Sequence, residues 1–183
     1  LSFLLVLMLA GNAQKESNFG LGIGSVSNFY PLKHKDKIYN GTGIGSGIRL
    51  EYNQKEKDLS TGSIHLGGIA VFGQSSSNYQ FNNWKSKYIW RHMVLAARLK
   101  YVYPVDKELD LYGGIHLGLH IEQFSELYST EPPAGYAVSG YTHGTPYSGL
   151  FFGADYKVAK KMSLFGELGY DLMWFTIGAK LYL

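Results

Sequence analysis

Leu109-Asp110-Leu111-Tyr112-Gly113-Gly114-Ile115-His116-Leu117-Gly118-Leu119-His120-Ile121-Glu122 alternates apolar residues with polar or small ones from end to end. Successive side chains of a strand point to opposite faces, so a period of two marks a strand with unlike sides. One face carries Leu109, Leu111, Gly113, Ile115, Leu117, Leu119 and Ile121; the other carries Asp110, Tyr112, Gly114, His116, Gly118, His120 and Glu122. Strands usually run about 5–6 residues, whereas a tilted strand needs about 9–11 to cross the hydrocarbon layer of a bilayer. This one is long enough to cross.

The same period recurs along the chain. It is read over Asn18 to Phe29, Ile44 to Gln54, Ser60 to Phe72 and Met93 to Tyr103, then over Ser148 to Val158, Met162 to Tyr170 and Phe175 to Leu183. With Leu109 to Glu122 these make eight candidate strands. A helix over 88–103 competes, because Trp90, Val94, Ala97 and Tyr101 are helically spaced. The alternation that runs on to Tyr103 before Pro104 favours a strand. The connections alternate in length. Residues 29–43, Gly73 to Lys87 and Gln123 to Tyr147 read as long loops; Lys55 to Asp58, Pro104 to Glu108 and Ala159 to Lys161 read as short turns, as does the tip at Asp171 to Met173. Alternating long and short links suit a meander whose two ends face different surroundings.

Composition agrees with many strands and tight turns. Of 183 residues, 23 are Gly and 15 Tyr, and only 17% are charged. A net charge of +3 without a Lys/Arg cluster gives no nucleic-acid footprint. The absence of Cys removes disulfides, thiolate metal sites and a Cys nucleophile from consideration. The first residues, Leu1 to Leu9 followed by Ala10-Gly11-Asn12-Ala13, read as a signal peptide truncated at its start, over 1–13. Residues 14–183 then form the mature domain. No stretch is apolar enough for a membrane helix: the best, Tyr88 to Tyr103, carries Arg91, His92, Arg98 and Lys100. An exported chain of this kind is either soluble or crosses a membrane as a closed barrel.

The mature chain resembles the small eight-stranded outer-membrane barrels of Gram-negative bacteria, the OmpA/OmpX-like class. The resemblance rests on the export signal, on the glycine-alternating first strand Phe19-Gly20-Leu21-Gly22-Ile23-Gly24, and on the closing strand Phe175-Thr176-Ile177-Gly178-Ala179-Lys180-Leu181-Tyr182-Leu183. It implies an all-β, antiparallel, up-and-down transmembrane barrel in the outer membrane, in contact with membrane lipid and lipopolysaccharide, and monomeric. It also implies that the last strand is read by the barrel-assembly machinery. The family's usual final residue is aromatic, most often Phe; here Leu183 follows Tyr182.

Candidate site residues follow from parity and position. The inward face is expected to hold a polar network of Arg49, Glu51, His65, Arg98, Lys100, His116, His120, Asp155, Glu167 and Lys180, centred on Arg49, Glu51, Arg98 and Glu167. An eight-stranded bore is just wide enough for side chains to fill, so a charge-balanced interior is expected to be non-conducting. Trp84, Tyr88, Trp90, Tyr101, Tyr103, Tyr112, Tyr156, Trp174 and Tyr182 lie near strand ends and suit membrane-interface belts. The glycine runs at Gly20-x-Gly22-x-Gly24 and Gly43-x-Gly45-x-Gly47 lack the phosphate-loop spacing and a following helix, and read as clearance for bulky neighbours. His116 and His120 stand four apart, roughly 13 Å along a strand, too far to share an ion, though His65 could approach one of them. No metal and no cofactor is expected.

The functional expectation is a non-enzymatic outer-membrane barrel with a structural or surface-recognition role through long extracellular loops that could engage ligands. Two alternatives compete. A soluble, exported lipocalin-type barrel would turn the apolar stripe inward around a ligand. A lipid-modifying barrel enzyme, which some small outer-membrane barrels are, would draw on His92, or on His143 with Ser139 and Glu131; no G-x-S-x-G elbow is present.

Overall fold

The computed structural model of the chain describes residues 16–28, 32–34, 37–39, 43–81, 84–128, 140–170 and 172–183. The signal peptide expected at 1–13 and most of the loop at 123–147 that follows Tyr128 lie outside them.

Among the described residues, alternation produces strands and no helix. They are β1 (Ser17–Asn28), β2 (Leu32–His34), β3 (Lys37–Tyr39), β4 (Gly43–Leu59), β5 (Gly62–Phe81), β6 (Trp84–Pro104), β7 (Leu109–Tyr128), β8 (Tyr141–Ala159), β9 (Met162–Tyr170) and β10 (Met173–Tyr182). Eight of them close an antiparallel ring in the order β1-β10-β9-β8-β7-β6-β5-β4, and β2 and β3 form a separate small hairpin. The seam is β1, paired with β4 from Ser17↔Gln54 to Asn28↔Gly43 and with β10 from Asn18↔Tyr182 to Val26↔Met173. Closure pairs the lower part of each of the eight strands on both sides, as a wall in lipid requires. The helix considered over 88–103 is part of β6.

The apolar stripe faces outward. Leu21, Ile23, Ile48, Leu66, Leu95, Leu117, Leu119, Leu150, Phe152, Leu164, Leu168 and Leu181 are all exposed. Its upper limit falls at one row of paired residues on β5, β6 and β7. The row Phe72↔Met93↔Ile121 is apolar, and the next outward row, Gln74↔Arg91↔Gln123↔Thr142, is polar. On β6 the outward apolar stretch therefore runs from Tyr103 to Met93, matching the roughly 9–11 residues a tilted spanning strand needs. A water-soluble barrel with a lipocalin-type cavity needs the opposite facing.

The long links differ from expectation. Most of 73–87 is strand: β5 continues to Phe81 and β6 begins at Trp84. At 123–147, β7 continues to Tyr128 and β8 starts at Tyr141. The cause is hydrogen-bond continuity: a paired hairpin satisfies its own ladder beyond the bilayer even where its side chains turn polar. The turn expected at Lys55 to Asp58 falls instead at Ser60 and Thr61, and a register shift between Lys55 and Lys57 absorbs the difference.

Inward glycines make room for large groups. A Cβ on Gly20 would stand 2.6 Å from the Glu51 side chain, and one on Gly153 would stand 2.6 Å from the Tyr112 ring.

Candidate functional site: the barrel interior

Even-numbered positions of β6 face inward and show how the bore is layered. From the short-turn end they read Lys100, Arg98, Ala96, Val94, His92, Trp90 and Tyr88, all buried. The layers are charged, apolar, imidazole and aromatic.

The charged layer is a closed ring of pairs. Arg49 and Arg98 each contact both Glu51 and Glu167. Arg49 Nη2 lies 3.1 Å from Glu51 Oε2 and Arg98 Nη1 lies 3.1 Å from the same oxygen. Arg49 Nη1 donates to Glu167 Oε1 at 2.5 Å, and Arg98 Nη2 donates to Glu167 Oε2. Lys180 extends the ring, 3.4 Å from Glu51 Oε1 and 2.6 Å from Asp155 Oδ1. Asn53 Nδ2 donates to Glu51 Oε1 at 3.1 Å. Aromatic faces complete the shell: the Arg98 guanidinium sits 3.8 Å from the Phe151 ring centre, and Lys180 Nζ 4.5 Å from both Tyr112 and Phe165. Charges buried so deeply need such pairing, because an isolated ion in a narrow interior carries a large desolvation cost. His116 is buried beside the ring, stacked on Phe151 at 4.4 Å.

Lys100 lies below, 4.9 Å from the Tyr112 ring centre, on a cavity of about 610 Å³ at the short-turn end. His65, Asp155, Lys157 and Tyr182 share that lining. His65 is half-buried, and its Nε2 pairs with Ser63 Oγ at 2.9 Å. In the turn beside this mouth, Asp106 Oδ1 accepts from the backbone N–H groups of Glu108 and Leu109, each at 2.7 Å. These two donors hold the Asp106 carboxyl below its ordinary range.

Above the charges, Val26, Ile69, Val71, Val94, Ala96, Tyr147 and Met173 pack as an apolar cluster. Next come His92 and His120, rings stacked at 5.3 Å, with His92 Nδ1 3.1 Å from His120 Nε2 and 3.7 Å from Glu122 Oε2. Tyr88, Trp90 and Phe124 form the uppermost cluster.

Several assignments made by position along the strand are corrected by parity. Tyr88, Trp90 and Tyr112 are buried inside the bore, not set in an interface belt. Tyr182 also faces inward, and its hydroxyl lies 3.4 Å from Ser163 Oγ. Tyr101, Tyr103, Tyr156 and Trp174 are exposed on the outer surface; the side chain of Trp84 lies outside the described residues. The missed feature is the meeting of His92 with His120. The sequence reading began this strand at Met93 and so never gave His92 a face. Extending the alternation upstream through Tyr88, Trp90 and His92 would have placed it beside His120.

Of the enzyme candidates, His92 on β6 and His143 on β8 lie among the described residues, on either side of Glu122 in one row of the ladder. His92 is engaged with Ser75, at 3.2 Å, and His120, while His143 stands exposed on β8. Ser139 and Glu131 lie outside the described residues.

Comparison with known proteins agrees with this architecture. The structure is similar to Neisserial surface protein A, with a TM-score of 0.51 at 11% identity, over 91% of this chain and 96% of that one. It is also similar to Ail, the attachment invasion locus protein of Yersinia pestis, with a TM-score of 0.46 at 14% identity, over 92% and 95%. The translocator domain of the autotransporter NalP from Neisseria meningitidis gives 0.45 at 9%, over 98% and 91%. No curated protein sequence matches the chain. The profile of the outer membrane protein beta-barrel domain matches residues 1–180, so the chain belongs to the outer membrane protein β-barrel family.

Proposed function

We propose that the protein is a non-enzymatic, monomeric component of the Gram-negative outer membrane, with its bore occupied by ion pairs and its tall hairpins turned outward for recognition. The observation that carries this reading is the outward apolar belt, which ends where the row Phe72–Met93–Ile121 gives way to the row Gln74–Arg91–Gln123–Thr142. Such a belt has lipid as its fitting neighbour, and soluble monomers rarely expose apolar area on that scale. Membrane lipid and lipopolysaccharide are then its surroundings. The β10 strand, apolar at alternate positions, is the element offered to the assembly machinery. Nucleic acid has no basic face to bind.

The role of the interior follows from its pairing. Arg49, Arg98 and Lys180 are matched by Glu51, Glu167 and Asp155, and an apolar layer lies above them. This pairing supports reading the interior as a plug. The test has two parts. In cell fractionation the protein is expected in the outer membrane, with gel mobility that changes on heating; recovery wholly in the soluble periplasm would sink the proposal. In planar bilayers the purified protein is expected to show no porin-sized conductance, and steady large currents would show that the bore is open.

A further inference from the structure

We propose that His92, His120 and Glu122 form a binding site for a divalent transition-metal ion of the zinc class, inside the outer mouth of the barrel. This goes beyond a lipid-embedded barrel with a recognition role and rests on that reading only for which mouth faces outward.

The geometry comes from register. His92 on β6 pairs directly with Glu122 on β7, and His120 is two residues along on the same inward face. One ligand atom from each lies within 4.8 Å of the others. The measured separations are 3.1 Å from His92 Nδ1 to His120 Nε2 and 3.7 Å from His92 Nδ1 to Glu122 Oε2. Ligands about 2.0–2.1 Å from a tetrahedral zinc stand about 3.4 Å apart, so these values bracket the required spacing. Two imidazoles and one carboxylate, with a remaining position open, is a donor set zinc-class ions accept and hard, oxygen-seeking ions do not favour.

The surrounding groups orient the ligands. His92 Nε2 lies 3.2 Å from Ser75 Oγ. A proton on Nε2, donated to that oxygen, leaves the Nδ1 lone pair directed at His120 and Glu122; an ion then binds with the His120 proton moved from Nε2 to Nδ1, which frees the second lone pair. Tyr141 donates to Glu122 Oε1 at 2.8 Å, and Oε2 is the oxygen set toward His92. The Tyr141 ring stacks on Phe124 at 5.2 Å, tying the aromatic layer to the site. Metal-ligating imidazoles and carboxylates in general take an outer partner of this kind on the atom that does not face the metal.

Position supplies access. The His92–Glu122 row lies immediately under the polar Arg91–Gln123 row that ends the outer belt. Glu122 keeps 12% of its side chain exposed, while the His92 side chain is fully buried. An ion arriving from the external side meets the carboxylate first.

The experiment is titration of the refolded full chain in detergent micelles with Co2+ and, separately, Zn2+. Expected are one ion per chain, a visible Co2+ absorption band of tetrahedral intensity displaced by Zn2+, and a rise in unfolding temperature with Zn2+. His120→Gln and Glu122→Gln are expected to lose the band while keeping heat-modifiable mobility, which shows that the barrel still folds. Tyr141→Phe should weaken binding by about 10–100-fold. His65→Ala, at the opposite mouth, should bind as the unaltered chain does. No band and no saturable binding in the unaltered chain would overturn the proposal. So would binding retained by the folded His120→Gln, Glu122→Gln double variant.

Discussion

Leu117 and His116 are neighbours in sequence with opposite surroundings. Leu117 is 59% exposed in the middle of the outer belt, and His116 is buried against Phe151. Leu117→Arg puts a charge near the bilayer midplane and is expected to cost about 2–4 kcal/mol. His116→Asn keeps a polar group in an already polar layer and should cost clearly less in the same lipid unfolding titration; equal losses would reverse the facing. Arg98 illustrates the other side of the wall. Arg98→Ala leaves Glu51 and Glu167 buried with one guanidinium fewer, an uncompensated charge of the kind that costs about 3–5 kcal/mol. Lys160→Ala, at an exposed turn, should change stability by about 0.5 kcal/mol or less. A similar loss from both would mean that the ring contributes nothing. At this scale the sequence was informative wherever the parity of a strand had been fixed. Arg49, Glu51, Arg98 and Glu167 were singled out together because their strands alternate cleanly, and they meet in one ring. Which carboxylate would face which guanidinium was not legible, since pairing around a closed bore depends on stagger between strands far apart in the chain.

Elements were read more accurately at their apolar centres than at their ends. β9 and the closing strand were found almost to the residue, because their alternation stops where their pairing stops. β5, β6 and β7 were read short. Their upper parts include Gln74-Ser75-Ser76-Ser77 and Lys85-Ser86-Lys87, which are polar at every position and look like loop, yet remain paired. Period-two patterning shows only where the two faces differ in polarity, and it fades in such stretches. The short turn between β6 and β7 has its own signature. Asp106, fully exposed, accepts two backbone N–H groups, and its carboxyl is held below its ordinary range. A depressed folded value contributes stability above the unfolded value of about 3.9 and loses it as pH falls through the folded one. The stability gap between the unaltered chain and Asp106→Asn is therefore expected at pH 7 and should shrink on acidification below about pH 4. A gap that stays constant across that range, in urea titrations at both pH values, would assign the turn's stability to shape and not to charge.

The ring as a whole is uneven in height. β5, β6 and β7 have 20, 21 and 20 residues, while β9 and β10, two and three places further round, have 9 and 10. The excess of about ten residues, at roughly 3.3 Å each, makes a wall rising about 30 Å along the strand direction on one side only. The wall leaves the shelter of the bilayer at the Gln74–Arg91–Gln123 row, and this divides the amides of a single strand into two populations. Below the row, breaking a ladder bond strands its N–H in hydrocarbon, where water cannot replace the lost partner. Above it, water stands ready on the outer side, so local opening costs far less. In deuterium exchange on the lipid-embedded protein, the amides of Ser86 to Ile89 are therefore expected to exchange orders of magnitude faster than those of Leu95 to Leu99, within one unbroken strand. Uniform protection along β6 would mean that the wall, too, is shielded from water. On the proposed orientation, the half expected to fray faces the outside world, so the barrel joins a rigid anchor and a yielding rim in the same strands.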